Sequence, residues 1–195
     1  MCRYRVEMER SFEEVLDSAR AGEAWAVAVL WRELNPQLLR FLRGRDPRAA
    51  DDVASETWIR VGRAVTRFEG SRDAFRSLFF TIARRALIDW QRRESRRSTV
   101  ELSDSLLDVL VGVDDTAGSA LENLDTDAAL NLIATLPADQ ADAVLLRVVG
   151  GLSVERVAEI MTKSPGNVRV LQHRALRRLA ELLSAEASRV DRVTP

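Results

Sequence analysis

The chain has 195 residues, 46% of them apolar, which supplies packed cores rather than an unfolded chain. It balances 29 basic against 30 acidic residues for a net charge of −1, and its single cysteine, Cys2, excludes an internal disulfide framework and any multi-cysteine zinc site. No stretch reaches the roughly 20 apolar residues needed to span a bilayer. Met1-Cys2-Arg3-Tyr4-Arg5 leads into a charged segment with no apolar signal core, so the expectation is a cytoplasmic protein without membrane insertion.

Strand signals are nearly absent and no long internal repeat is visible, whereas apolar residues recur at helical spacing throughout; an all-α fold is expected. Phe12, Val15, Leu16 and Ala19 open the first helix, and Trp25, Val29 and Leu34 mark a second. Pro36 is expected to break or kink the chain before Leu38, Leu39 and Leu42 resume the pattern. Asp46 and Pro47 suit a cap and a first helical turn, after which Ala50, Val53, Ala54, Thr57, Trp58 and Val61 share one face.

The 66–72 stretch, with Gly70 and Ser71, predicts a loop. A long helix follows over 73–93 with Phe75, Leu78, Phe79, Ile82, Ala86 and Trp90 as its buried stripe; Phe80 lies off that stripe and is the candidate for stacking on a base. From 98 to 124 the periodicity weakens and the segment predicts a linker, with a short helical turn near 106–111. Helices over 127–135, 139–149, 154–161 and 165–183 complete the chain. The predicted organisation is a helical domain over 10–97, an acidic linker over 98–124 and a second helical domain over 125–185.

The net charge conceals segregation. Between Arg84 and Arg97 lie Arg84, Arg85, Arg92, Arg93, Arg96 and Arg97 against only Asp89 and Glu94. From Glu101 to Asp127 come eight carboxylates and no lysine or arginine. Arg169, Arg174, Arg177 and Arg178 then restore the positive sign. Local patches, not the average, decide where phosphates bind.

The last two helices carry the sharpest motif. Ser153 precedes an apolar-periodic helix as a cap; Thr162-Lys163-Ser164 forms a short break; Ser164-Pro165 restarts the chain with a cap and a first-turn proline. Two short helices joined so tightly form a helix-turn-helix, which places its second helix in the DNA major groove. In that second helix Val168, Leu171, Ala175, Leu179 and Leu182 are spaced to pack inward, while Arg169, Val170, His173, Arg174 and Arg177 face away. Arginine reads guanine with paired hydrogen bonds and valine contacts a thymine methyl. Ser164 and Asn167, at the helix start, join this candidate DNA surface. The plainer alternative is a solvated, arginine-rich helix in an ordinary bundle.

The order of segments resembles the extracytoplasmic-function (ECF) σ factors of the bacterial σ70 family. Three stretches carry the resemblance. Asp51 to Val61 resembles the family's core-polymerase-binding helix, Phe75 to Arg93 its promoter-melting helix, and Leu136-Pro137 to Arg147 with Gly151 to Arg174 its upstream-element reader. The resemblance implies two small helical domains, core RNA polymerase and promoter DNA as partners, and an anti-σ factor as a further partner. It implies polymerase contacts at Asp51, Asp52, Glu56 and Arg60. It also implies melting and downstream-element contacts at Phe80, Arg84, Arg85, Arg92, Arg93 and Arg96, with upstream-element contacts at the exposed face of the last helix. The 66–72 loop matches where the family captures a flipped base. The acidic connector reads either as a phosphate mimic for a basic polymerase channel or as a plain tether. The sequence departs from the pattern at Ser55, where glutamine is common, and at Val170-Leu171-Gln172, so promoter preference is not transferable.

Two other readings remain at this stage. A stand-alone helix-turn-helix regulator explains the last helices but not the basic-aromatic helix or the acidic segment. A helical scaffold or enzyme finds no nucleophile–base pair, phosphate loop or metal cluster here, and His173 is the single histidine. The expectation is a non-enzymatic protein without metal or cofactor.

Overall fold

The computed structural model describes residues 10–101 and 120–190, with side chains over 10–97 and 126–185. All regular structure in these residues is helical. In chain order the helices are α1 (Phe12–Arg20), α2 (Ala24–Arg43), α3 (Ala50–Val65), α4 (Arg72–Glu101), α5 (Ala120–Ala134), α6 (Ala138–Val148), α7 (Val154–Met161) and α8 (Pro165–Val190), with a 3₁₀ turn at Pro47–Ala49 before α3.

Local chemistry starts most of them. Ser11 accepts from the Glu14 amide while the Glu14 carboxylate accepts from the Ser11 amide, a reciprocal cap that satisfies two otherwise unpaired donors of α1. Asp46 accepts from the Arg48 amide and Pro47 supplies the fixed φ of the turn leading into α3. Ser71 accepts from the Ala74 amide at the start of α4.

Pro36 does not break the chain: α2 runs through it without interruption. The proline ring lies on the exposed side, while Leu34, Leu38, Phe41 and Leu42 are buried on the other. Loss of one backbone donor is outweighed by burial worth about 1.5–3 kcal/mol per large apolar side chain.

α4 also exceeds expectation, extending to Glu101, and α5 begins at Ala120. The segment predicted as a 27-residue linker over 98–124 therefore gives up residues to helices at both ends, and 102–119 join them. The short turn expected near 106–111 lies outside the described residues.

α4 is the central helix. It packs on α3 and α2, with Phe79 against Trp58 at 5.2 Å and Phe80 against Phe41 at 5.7 Å between ring centroids. Phe75 meets Phe12 and Phe68 at 5.9 and 5.3 Å. The predicted stripe is thus too narrow. Phe75, Phe79 and Ala86 are buried as expected, but so are Phe80, Ala83 and Leu87, while Leu78, Ile82 and Trp90 are only half-buried. The second domain, α5–α8, packs α6 and α7 against α8 and also touches the first domain through α4–α7 and α2–α5. The buried apolar residues of both domains form one continuous cluster.

Candidate nucleic-acid interface

In the helix-turn-helix, Ser153 accepts from the Arg156 amide at the start of α7, and Ser164 accepts from the Asn167 amide at the start of α8, each at 3.2 Å. Between them Thr162 takes the left-handed conformation, φ 55° and ψ 47°, and its amide donates to Ala158 and Glu159 carbonyls. This residue turns the chain within three positions. Val168 and Ala175 are fully buried, with Leu171 and Leu179 packed against the same core.

The opposite side of α8 presents Asn167, Arg169, Val170, His173, Arg174 and Arg177, all exposed, with Ser164 exposed at its start. Val170 is 46% exposed, large for a valine, and lies among cations. Arg169 sits 3.5 Å from Glu155, whose carboxyl is held below its usual range by its own backbone amide and by Ser153, with the charges of Arg169 and Arg147 adding to this. Arg177 is loosely paired with Glu181 at 3.3 Å. These exposed pairs contribute little to stability and leave the arginines available for exchange.

On α4, Arg85, Arg92 and Arg96 are exposed. Arg92, Arg93 and Arg96 line a shallow groove with Glu56, Arg60 and Asp89. Within it Glu56 bonds Arg60 at 2.6 Å and Arg93 at 2.8 Å, while Arg60 also reaches Asp89 at 3.2 Å. Burial pushes the Glu56 carboxyl up, but hydrogen bonds and charge from Arg93 and Arg60 outweigh it and leave it below its usual range. Burial likewise depresses Arg60, and its bonds to Asp89 and Glu56 more than compensate, raising it.

Three sequence expectations change here. Phe80 is fully buried against Phe41 and Phe79, so it is a core residue and not an exposed stacking face. Arg84 is largely covered and bonded to Asp142 of α6 at 2.7 Å. Glu56, Arg60 and Arg93 tie α3 to α4 instead of presenting bare charges. The outward stripe of α3 is Asp51, Asp52, Ser55 and Ile59, all exposed. Ile59, at 58% exposure, has no counterpart among the sequence candidates. Asp142, Arg45 and Gly44 carry no sequence signal either, because a contact across 97 residues, as between Arg45 and Asp142, leaves no local pattern. Among the described residues no cluster of His, Cys, Asp and Glu is arranged to hold a metal, and no helix is long and apolar enough to cross a membrane.

Comparisons with known proteins match this layout domain by domain. Residues 30–97 match the model for Sigma-70 region 2, and residues 126–179 match Sigma-70, region 4. The chain is 35% identical over 173 residues to the ECF RNA polymerase sigma factor ShbA of Streptomyces griseus subsp. griseus, covering 83% of this chain and 89% of the relative. It is 32% identical to the ECF RNA polymerase sigma factor BldN of Streptomyces coelicolor over 89% of this chain and 66% of that protein. Among solved structures it resembles CnrH in complex with the cytosolic domain of CnrY, with TM-score 0.61, 20% identity and coverage of 88% of this chain and 96% of that one. It also resembles RpoE in complex with the anti-sigma factor NepR from Bartonella quintana, with TM-score 0.58, 25% identity and coverage of 78% and 95%. With two region models in order along the chain and 35% identity across 89% of ShbA, the chain belongs to the ECF RNA polymerase sigma factors of the sigma-70 family.

Proposed function

We propose that this chain directs core RNA polymerase to promoters through two DNA-facing surfaces on separately built domains. The observation that carries this is the placement of exposed arginines on two helices, Arg85, Arg92 and Arg96 on α4 and Arg169, Arg174 and Arg177 on α8. Arginines on α4 follow the phosphates of a strand being separated, and those on α8, with Asn167, Val170 and His173, read the upstream element in the major groove. Arg93 contributes from its pair with Glu56, and Ser164 positions the start of α8.

Core polymerase docks on the α3 stripe, where Asp51 and Asp52 supply charge and Ile59 supplies the apolar centre that interfaces favour. Glu56 and Arg60 hold that helix to α4 and so couple the polymerase-facing and DNA-facing sides. The role is non-enzymatic and cytoplasmic. An anti-σ factor is a further partner of this reading, supported by the NepR complex of the RpoE relative.

Run-off transcription with purified core polymerase on a promoter library tests the whole reading. Promoter-specific transcripts that depend on the chain are the expected result. Tight, specific operator binding without core polymerase, and no transcript with it, would instead mark a stand-alone regulator.

A further inference from the structure

We propose that Glu155, in the first turn of α7, is a positioning residue for promoter reading: it keeps the Arg169 guanidinium turned to a guanine edge and away from the phosphate backbone. The role presupposes that α8 reads the upstream element, as given above.

The pair crosses the outer side of the helix-turn-helix. Glu155 stands on α7 and Arg169 in the second turn of α8, with Arg169 Nη2 3.5 Å from Glu155 Oε1. Both side chains are 62% exposed, so the pair is open to a ligand and adds little to the fold. Its acidic end is nonetheless fixed. The Glu155 carboxylate is bonded by its own backbone amide and by the Ser153 hydroxyl, at a helix start whose positive end favours an anion. Ser153 is itself seated by the bond it accepts from the Arg156 amide, and Arg147 donates to the Leu152 carbonyl just before it. Arg177 and Arg178, by contrast, both turn to Glu181 on their own helix.

This arrangement separates two kinds of DNA partner. A guanidinium carries five N–H donors in a planar fork but a single charge. A guanine edge presents two neutral acceptors, O6 and N7, and asks only for donors, so Arg169 can bind it while keeping Glu155. A phosphate asks for the charge as well. Arg169 would have to leave Glu155 to supply it, and the abandoned carboxylate would face an anion within the Debye length of about 8 Å, where salt screens it poorly. Exchanging one anion for another gains little, whereas the base contact adds bonds and gives none up. The recognition helix of such a motif touches bases with its N-terminal residues, which is where Arg169 stands.

Run-off transcription by core polymerase with the full chain tests this role. The templates carry each single base-pair change in the upstream element, and promoterless duplex serves as competitor. Wild type, Glu155→Gln, Arg169→Ala and the double variant are compared, after thermal melts verify that each is folded; Glu155 is exposed and glutamine keeps its size. Glu155→Gln is expected to lose roughly tenfold in discrimination at one G·C base pair, the same pair at which Arg169→Ala loses it. The double variant should lose no more than Arg169→Ala alone. Glu155→Gln should also need several-fold less competitor to halve the transcript, with a log–log salt dependence steeper by about one, as the freed cation gains a phosphate. A damaged fold does not combine lost discrimination with tighter non-specific binding. Unchanged discrimination, or equal weakening on every sequence, would overturn the role of Glu155 while the promoter reading stands. A wild-type chain that directs no promoter-specific transcript would overturn the promoter reading itself, and the role of Glu155 with it.

Discussion

Glu56 holds two arginines on different helices with one carboxylate, and that geometry has a pH signature. Its folded-state value is depressed, so its contribution is fully present above the unfolded value of about 4.3 and is lost as pH falls through the lower folded value. Glu56→Gln should therefore lower the urea midpoint near neutral pH and differ progressively less from wild type below about pH 4. The expected cost is modest, about 1 kcal/mol, because the pairs are partly solvated. Arg174 is the residue-scale test on the DNA side. Arg174→Ala should lose about 1–3 kcal/mol of discrimination at one upstream base pair, measured as relative transcription from promoter variants. Equal loss on all sequences would reassign Arg174 to phosphate. Phe80 shows how helical spacing alone misplaces such roles. One helical stripe in a sequence marks one packed side, but α4 is packed by α2 and α3 together, so residues off the stripe are buried as well.

At the level of elements, the chain discloses its helices wherever a cap and a periodicity agree. Ser153 and Ser164 do in the structure what their side chains suit them for, and Val168 and Ala175 face inward as spaced. Ser153→Ala should cost about 1 kcal/mol in a denaturant titration of the full chain and lower upstream-element binding in parallel. The proline in α2 misleads because local propensity is weaker than the tertiary burial of Leu34, Leu38 and Phe41. The end of α4 is illegible for the opposite reason: beyond Arg93 there is little apolar patterning to mark a helix that nevertheless continues. The α3 stripe carries its own test. Asp52→Lys should weaken core-polymerase capture roughly tenfold while lowering the melting temperature by no more than about 2–4 °C, the share of an exposed carboxylate in the first turn of α3. Unchanged capture would move the docking surface off this helix.

Taken whole, the molecule has two domains and one continuous core. The two-domain division follows from charge segregation and motif order; that the domains share buried surface does not, because Arg45, Arg84 and Gly44 meet residues about 60 to 100 positions away. Shared burial should make wild type unfold in a single cooperative transition, whereas Gly44→Val, whose Cβ would lie 2.9 Å from Leu145 Cδ2 and 3.2 Å from Leu130 Cδ2 of the other domain, should resolve two, as read by circular dichroism and tryptophan fluorescence together. The covalent connection between Glu101 and Ala120 has a consequence of its own. It makes the meeting of the two domains unimolecular, with an effective concentration on the order of millimolar for a connection of this length. An interface too weak to join two separate proteins at cellular abundance can therefore persist within one chain, independently of expression level. Cutting the chain within 102–119 by an inserted protease site converts that encounter into a bimolecular one, and the halves should then separate on dilution to micromolar concentration.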